Sequence, residues 1–518
     1  MPFAFPGQSI VGRNGRRVPV SVGGGGASDA ILMSSRTVQP GYGAATGSNG
    51  TTDLDSNTRS SHFNDAGVSV TKVKLLLAGW YARSSALPVE VDAPNSVTYV
   101  QSIEYPAGTF SADVTTIVAP GDNAPSAEIA LSVPIPAFAQ FWVRTYVAVT
   151  AGQKWMVGYA INANLGEASD RNTGASKTQG GTITGTSAGA GPIAIVATEY
   201  EGSIPRAFAG FGDSLIEGGA VSIQDIHGNI GAPGHGCTNN VPYMNLGRGG
   251  LVGRYSAASM AKRLDAMLKA GITDAIVGLG TNDGVIGDDA ATIQASLQTT
   301  YDAIAATGIR VHANTLPPQV TITSGRRAAV PGSQTSAAWS ASGAVRPAVN
   351  AFIRTANASV FRVNELADLV ETARDSGLWK TSEDAVNTRT PPSVAATVTG
   401  SPTTTVVPTN LVAGSGITIN SLSALSSAIL FTSGALAGQV GLVSANASNG
   451  TSITVNPALS AAPTVGDNFT IYRGAYSFSD GTHWLSIGRN SLLSAYFGGG
   501  WVVADYYANY IAGRNATA

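Results

Sequence analysis

The sequence predicts an α/β protein: a parallel sheet with helices on both faces, preceded by a jelly-roll-like β-sandwich and interrupted by a small all-β insertion. Up to about residue 200, short apolar segments alternate with Pro, Gly and Asn clusters, a spacing typical of sandwich strands. Strand patterns then alternate with helical patterns to about residue 390, which indicates a parallel sheet. From there to residue 473 the chain is almost uncharged and rich in Thr, Val, Ser and Ala, which predicts the insertion.

The length of 518 residues exceeds one ordinary domain, so several are expected. We divide the chain into five segments: a flexible Gly/Ser-rich arm (1–60), the β-sandwich (61–200), the first part of the α/β domain (201–390), the all-β insertion (391–473) and the C-terminal part of the α/β domain (474–518).

Charge and composition narrow the range of partners. Charged residues make up 12% of the chain and give a net charge of −2, so no basic excess predicts binding to nucleic acid. No apolar stretch reaches the roughly 18 residues of a membrane span, and no secretory signal is readable at the start. We therefore expect a cytoplasmic protein or one that leaves the cell without a cleaved signal. The single cysteine, Cys237, excludes an internal disulfide framework, so packing, and with it homo-oligomerisation, remains as a source of stability.

In the sandwich region, strand patterns lie at residues 73–82, 89–92, 98–105, 127–133 and 141–149. A Gly/Thr/Ser-rich segment, residues 172–191, follows and reads as a linker. Within it, residues 185–189 match the Gly-x-Ser-x-Gly nucleophile elbow. The match lacks the strand before it and the helix after it that the elbow requires, so we attribute it to composition.

The α/β region shows strand patterns at residues 206–211, 275–279, 309–314 and 360–363. Two helical patterns lie between them: apolar residues recur at helical spacing from Met260 to Leu268 and from Ile293 to Ile304. The methionines of the first pattern are expected in the core. His312 lies within a strand pattern and is expected to be a buried, hydrogen-bonded histidine.

A serine follows the first of these strands. Gly212 frees the backbone, and Asp213 and Ser214 come where the strand should pass into a helix, the edge at which an open α/β sheet carries its chemistry. Ser214 could cap that helix, or it could be a nucleophile. A nucleophilic serine needs a base and a group that orients the base, and Asp480 and His483 stand three residues apart far downstream.

Two further stretches, residues 245–250 and 278–284, each follow a strand pattern and combine glycines with an asparagine. Backbone N–H groups and amide side chains of this kind can hold an oxyanion. Each residue also has a structural alternative, because Asn282 could cap a helix and Gly247 could permit a tight turn.

Four blocks in this order resemble those of the SGNH (GDSL-type) hydrolases: Gly212-Asp213-Ser214, Gly247 within Asn245-x-Gly-x-Gly-Gly, Gly280-Thr-Asn282-Asp, and Asp480-x-x-His483. The resemblance covers about residues 206–390 and 474–513. It implies a flavodoxin-like sheet and an esterase that needs no metal or organic cofactor. It also implies roles for individual residues: Ser214 as nucleophile, His483 as base, Asp480 as its orienting acid, and an oxyanion hole made by the N–H groups of Ser214 and Gly247 and the side chain of Asn282.

Several neighbours are candidates for substrate contact. Arg248 could bind a substrate oxygen or form a salt bridge. Asp213 fits a carboxylate that accepts from turn amides better than a substrate ligand, and Trp484 follows the histidine. Residues 227–237 contain two His and Cys237. Without further ligands they fit a loop on the rim of the site better than a metal site.

The substrate class stays open at this point. An O-acetylated polysaccharide is the preferred ester, since two β modules around a hydrolase suit a long glycan. Stacking aromatics are then candidates, although a place in the sandwich core suits most of them better; they are Trp80, Tyr81, Trp142 and Trp155. The alternatives are a broad short-chain esterase or lipase, and a glycan-binding virion protein with an inactive hydrolase domain. Within the insertion, residues 431–439, Asn449-Gly450 and residues 462–467 resemble small β modules of bacteriophage tail and virion proteins, which implies virion assembly and release by lysis.

Overall fold

The computed structural model describes residues 30–35, 45–46, 53–84, 86–158, 161–202, 204, 206–218, 231–237, 241–322, 332, 334–355, 357–379, 393–411, 428–446, 451–456 and 458–472. Asp480, His483 and Trp484 lie outside these residues, so their predicted roles stay predictions.

The described N-terminal part of the chain is built from strands and one 3-10 helix, Ala163–Leu165. The strands are β1 (Ile31–Leu32), β2 (Ala45–Thr46), β3 (Asp55–Phe63), β4 (Val70–Ala78), β5 (Trp80–Ala82), β6 (Glu90–Asp92), β7 (Val97–Glu104), β8 (Val114–Val118), β9 (Asn123–Pro125), β10 (Ile129–Ile135), β11 (Gln140–Ala148), β12 (Trp155–Met156), β13 (Ala168–Arg171) and β14 (Ala194–Tyr200).

Two antiparallel sheets dominate this region. One has the order β1-β14-β4-β10, with β9 also paired to β4, and the other has the order β13-β3-β11-β7-β8. Val73 and Leu75 of the first sheet and Ile103, Phe141 and Val143 of the second belong to one buried apolar cluster. The two sheets therefore face each other as a β-sandwich, as predicted.

The sandwich begins earlier than predicted. β1 pairs with β14, and β3 lies between β13 and β11, so the prediction of a flexible arm over residues 1–60 is wrong for these strands. The reason is the sequence of β3, Asp-Ser-Asn-Thr-Arg-Ser-Ser-His-Phe, which has no apolar alternation to read. Its buried hydroxyls are hydrogen-bonded instead: Ser56 Oγ and Thr58 Oγ1 lie 3.4 and 3.3 Å from Ser169 Oγ.

The segment predicted to be a linker, residues 172–191, folds onto the second sheet. Arg144 donates to the carbonyl oxygens of Lys177 and Gly181 at 3.0 and 2.9 Å, and Ser102 Oγ donates to Thr178 O at 2.7 Å. Asn57 Oδ1 accepts from Lys177 N. This part of residues 172–191 is therefore a cover on the polar outer face of the sheet. Its small polar residues expose many backbone groups, which the sheet's side chains satisfy.

The α/β region of the described chain contains parallel strands, one antiparallel strand pair and helices. Its elements are β15 (Phe208–Gly212), α1 (Ser214–Glu217), α2 (Gly231–Cys237), β16 (Tyr243–Asn245), α3 (Gly253–Ala258), α4 (Ala261–Lys269), β17 (Asp274–Gly278), α5 (Thr281–Val285), α6 (Ala290–Ala305), β18 (Arg310–Asn314), β19 (Val320–Ile322), β20 (Gln334–Ser336), α7 (Val345–Arg354), β21 (Val360–Asn364) and α8 (Leu366–Val370).

The parallel sheet has the order β16-β15-β17-β18-β21, and each neighbouring pair is parallel. Side chains along its strands alternate between two buried clusters. Ala275 and Val277 lie in the cluster that contains α4, α6 and α7 residues, whereas Phe208 and Ile276 lie in the cluster that contains α1, α2 and α8 residues. Helices thus cover both faces, as the alternating pattern predicts.

The insertion forms a small barrel. Its strands are β22 (Ser393–Thr397), β23 (Val406–Pro408), β24 (Ala428–Phe431), β25 (Val440–Asn446), β26 (Ser452–Val455) and β27 (Asn468–Tyr472), in the order β22-β27-β24-β25-β26-β23. The two end strands also meet, because Val398 bridges Thr409 and Thr399 N donates to Pro408 O at 3.0 Å. Closure leaves no free edge among the described strands of this region, which surround their own apolar cluster.

A buried ion pair joins the sandwich to the α/β domain. Glu90 of β6 accepts from Arg263 Nε at 2.9 Å and from the backbone N–H groups of Lys262 and Arg263 at the start of α4. The Glu90 and Arg263 side chains are 2% and 1% exposed. The Arg263 guanidinium also lies 4.3 Å from the ring centroid of Phe211 in β15. The two domains share the apolar cluster around this pair.

We predict that Glu90→Gln lowers the free energy of unfolding by about 3–5 kcal/mol, because the variant leaves the buried charge of Arg263 without its counter-charge. Denaturant unfolding of the full chain measures this. Glu199→Gln is the control, since the Glu199–Lys72 pair is exposed and its loss should leave the unfolding midpoint near that of the wild type. Equal midpoints for the two variants would contradict the assigned role of Glu90.

Candidate functional site

Ser214 lies where β15 passes into α1. Asp213 is the N-cap of α1, and its carboxylate accepts from Leu215 N at 3.0 Å. Gly218, at φ 88°, ends the helix, and its N–H donates to Ser214 O. Leu215 and Ile216 are buried, whereas Ser214 is partly exposed. The short helix therefore presents the serine side chain at the carboxyl edge of the sheet, where parallel sheets place their ligands.

Small residues before Ser214 allow this turn. A Cβ on Gly212 would lie 2.3 Å from the carbonyl oxygen of Gly278 in β17 and 2.4 Å from Ile216 Cγ1. Such distances are far below van der Waals contact, so only glycine fits. The strand therefore runs close beside β17 up to the residue before Asp213.

The loop after β16 lies on one side of Ser214. Arg248 N donates to Gly212 O at 2.8 Å, so this loop continues alongside β15 beyond the end of β16. Asn245 Nδ2 donates to Glu217 O at 3.0 Å, and Asn245 Oδ1 accepts from Gly247 N at 2.9 Å. The side chain of Asn245 thus ties its own loop to α1.

The oxyanion role predicted for Gly247 stays a prediction, and this residue is tightly held in the structure. Its N–H is already engaged by Asn245 and its Cα packs against Glu217, since an added Cβ would lie 2.5 Å from Glu217 N. Gly249 lies nearer the serine, because a Cβ there would be 3.8 Å from Ser214 Cβ. The loop contains three glycines, and the sequence carries no signal to tell which of them faces Ser214.

The loop after β17 lies on the other side. Asn282 lies in the first turn of α5, and its Nδ2 donates to Leu251 O at 3.0 Å. An amide nitrogen carries two hydrogens, so this bond leaves one for another acceptor. Asp283 is buried and accepts from Gly253 N at 2.7 Å and Arg254 N at 3.2 Å, and burial raises its pKa. Asp283 therefore holds this loop against the start of α3.

Two other candidates have structural partners. Arg248 Nη1 lies 3.8 Å from Glu217 Oε1, and the Arg248 side chain is 29% exposed. It is thus at the edge of the site and loosely paired. Asp213 is 1% exposed and caps α1, so it acts on the turn, in line with the structural alternative.

The predicted rim loop at residues 227–237 differs in its described part. Residues 231–237 form α2, and Cys237 is buried in the cluster below the sheet. Burial raises the pKa of its thiol. In the described portion of the chain, no group of three or more His, Cys, Asp or Glu side chains is placed to hold a metal ion.

The aromatic candidates divide into two classes. Trp80 and Trp155 are 0% and 1% exposed, so they are sandwich core and not stacking platforms. Tyr81 and Trp142 are partly exposed. The Trp142 ring is covered by the Arg59 guanidinium, 4.1 Å from its centroid, whereas Tyr81 lies in strand β5. Over the described residues, no helix combines the length and apolar character needed to cross a membrane.

Comparison with known proteins finds partial likenesses among solved structures. No family model and no curated protein matches the chain. The Bacillus subtilis protein YxiM is 15% identical over 60% of this chain and 68% of its own, with a TM-score of 0.25. The SGNH-hydrolase family esterase AlinE4 is 21% identical over 23% of this chain, which spans 62% of the esterase, with a TM-score of 0.19. A family two carbohydrate esterase from Clostridium thermocellum is 9% identical over 56% of this chain and 78% of its own, also at 0.19.

A second polar cluster lies at the opposite end of the sheet from Ser214. Asp274, at the start of β17, is hydrogen-bonded to His312 Nε2 at 2.7 Å and pairs with Arg206 and Arg310. Burial alone would raise the pKa of Asp274, but the bonds from His312 and Arg206 outweigh it and hold the pKa below the usual carboxyl range. Burial lowers the pKa of His312. His312 is therefore the buried, bonded histidine that the strand pattern predicts.

We predict that Asp274→Asn lowers the free energy of unfolding by about 2–4 kcal/mol at pH 7, because His312 and two arginines lose a buried carboxylate. The folded pKa of Asp274 is depressed, so its contribution is present above about pH 4, the ordinary carboxyl pKa, and fades as pH falls below it. Urea unfolding at pH 7 and pH 3 should show the difference from wild type shrinking at pH 3. Asp92→Asn, which breaks a half-exposed pair with Lys262, should cost less than about 1 kcal/mol; a pH-independent deficit for Asp274→Asn would contradict the assignment.

Proposed function

We propose that the chain is a serine ester hydrolase of the SGNH type, and that its substrate is an O-acetylated surface or cell-wall polysaccharide. The observation that carries this proposal is the position of Ser214. It is partly exposed at the carboxyl edge of the sheet, between the loop that contains Gly249 and the loop that contains Asn282. A nucleophile flanked by N–H and amide donors is the arrangement that acyl transfer requires.

The proposed reaction has two steps. Ser214 Oγ attacks the ester carbonyl carbon while His483 takes the hydroxyl proton, and the alcohol leaves with a proton from His483. Water, deprotonated by His483, then attacks the acyl-enzyme and releases the acid and Ser214. Asp480 orients the imidazole and stabilises its charged form. These roles of Asp480 and His483 rest on the sequence.

The oxyanion of each tetrahedral intermediate would be held by three donors. Ser214 N and the second hydrogen of Asn282 Nδ2 are two of them. We assign the third to the loop at residues 247–250, with Gly249 nearest to Ser214. Gly247 would serve only if its bond to Asn245 were exchanged. Each such donor contributes on the order of 3 kcal/mol to lowering the barrier.

Two modules outside the α/β domain support a polymeric substrate. The sandwich is fixed to the α/β domain by the Glu90–Arg263 pair, and the barrel is a closed unit of its own. The resemblance of the sequence at residues 431–467 to bacteriophage tail and virion modules is the ground for including a virion or extracellular location in this proposal.

A short-chain esterase is the second candidate, because an apolar pair follows Asn282 on α5. Val285 and Ile286 are each 51% exposed, and Ile286 N donates to Asn282 O. One helical turn therefore separates the proposed oxyanion donor from exposed apolar surface, which suits the hydrocarbon part of an ester.

We predict that the wild type releases acetate from O-acetylated polysaccharide and cleaves p-nitrophenyl acetate, and that Ser214→Ala loses both activities by at least about 10³-fold, because the nucleophile is gone. The measurement is acetate release from a panel of acetylated polysaccharides, beside p-nitrophenyl esters of increasing chain length. Labelling of Ser214 by a phosphonate is the companion test.

The set of substrates that the wild type cleaves distinguishes the three candidate functions. Glycan and acetyl ester turnover selects the deacetylase. A preference for butyrate or longer chains with glycans untouched selects the short-chain esterase. No cleavage of any ester, with glycan binding retained in Ser214→Ala, selects a binding protein and refutes the proposal.

We predict that His483→Ala lowers kcat at least about 10³-fold, since no base remains for Ser214, while the melting temperature stays within a few degrees of wild type. Thermal unfolding beside p-nitrophenyl acetate kinetics tests this. A collapsed melting transition would assign His483 a structural role instead.

A further inference from the structure

A hairpin of the sandwich lies against the loop that flanks Ser214. Strands β5 and β6 pair with Ala82 opposite Glu90, and Arg83 N donates to Val89 O at 2.7 Å. At its base, Trp80 Nε1 donates to Asn123 Oδ1 at 2.8 Å inside the sandwich. The Glu90–Arg263 pair holds its second strand to α4. The hairpin is therefore fixed to both domains.

The tip of this hairpin contacts the loop after β16, which flanks Ser214. Ser84 O accepts from Val252 N at 3.3 Å, and a Cβ on Gly250 would lie 3.3 Å from Ser84 Cβ. Gly250 adjoins Gly249, whose Cβ position is 3.8 Å from Ser214 Cβ. Gly250 therefore lies between the hairpin and Gly249, the residue beside Ser214.

The outward side of the hairpin carries groups suited to a sugar. Tyr81 is partly exposed and Arg83 is exposed, and the Arg83 guanidinium lies 5.9 Å from the Tyr81 ring centroid. Aromatic faces stack on the apolar faces of sugar rings, and guanidinium groups donate several hydrogen bonds in a fixed plane. Further along the hairpin, Pro88 begins an open cleft of about 480 Å³ between β6 and the α3–α4 junction.

From this arrangement we infer that the β5–β6 hairpin is a subsite of the polysaccharide, with Tyr81 and Arg83 binding the sugar units beside the acetylated one. The inference rests on the proposed function and deepens it. It gives the sandwich a direct part in substrate selection: a glycan chain whose ester lies at Ser214 passes over Gly250 and Ser84 onto this hairpin. A small ester ends before it reaches Tyr81.

The test uses the full chain and the double variant Tyr81→Ala/Arg83→Ala. For each protein, kcat/KM is measured with O-acetylated xylan and with p-nitrophenyl acetate, and the ratio of the two is compared. The variant should lower this ratio at least about tenfold, mainly through KM for the polymer, because lost ground-state binding raises KM. The control Phe138→Ala/Arg374→Ala removes an exposed aromatic and an exposed arginine elsewhere and should keep the ratio within twofold of wild type.

The outcomes are distinct. A ratio unchanged in Tyr81→Ala/Arg83→Ala, or equal losses on both substrates, overturns the subsite. A wild type that cleaves p-nitrophenyl acetate but not acetylated xylan or the other acetylated polysaccharides also overturns it, while the esterase stands. A wild type inactive on every ester refutes the proposed function, and the subsite with it.

Discussion

The Glu90–Arg263 pair is the interaction on which the two-domain arrangement depends. Both side chains are almost fully buried, so each charge is tolerable only because the other is present. The pair also reaches the strand of the candidate site, because Arg263 packs on the ring of Phe211, three residues before Ser214. A carboxylate of the sandwich, an arginine of the helical layer and an aromatic ring of the sheet therefore form one continuous contact. The sandwich is thus a structural partner of the candidate site and not a separately tethered module.

The sequence could predict those elements whose burial is apolar. The α6 helix shows clear helical periodicity, and strands β17 and β18 lie in short, largely apolar runs. The structure has all three at almost the expected residues. The sequence does not predict strand β3, because its buried positions carry hydroxyl groups that are hydrogen-bonded to Ser169. A hydrophobic pattern in the sequence marks the positions at which apolar side chains are buried away from water. It gives no signal for a strand whose buried side chains are polar and hydrogen-bonded.

Part of the candidate site could likewise be predicted from residue type, and part could not. The strand-to-helix turn at Ser214 could be predicted, because glycine and aspartate have few other uses at such a position. The role of Gly247 follows from the family resemblance and not from residue type, since Gly249 is also a glycine. What distinguishes them is the side chain of Asn245, which takes the Gly247 N–H. Whether the Asn245 side chain can reach the Gly247 N–H depends on the path of the backbone between them. That path cannot be predicted from the residue types alone.

The two ends of the barrel lie side by side. Its first and last strands pair directly, with Ser393 opposite Tyr472, so the chain enters and leaves the barrel at points about 5 Å apart. The two ends of the module are therefore no farther apart than two neighbouring strands of a sheet. Chain segments that enter and leave the module start side by side, so the module adds its own folded bulk without holding those segments apart.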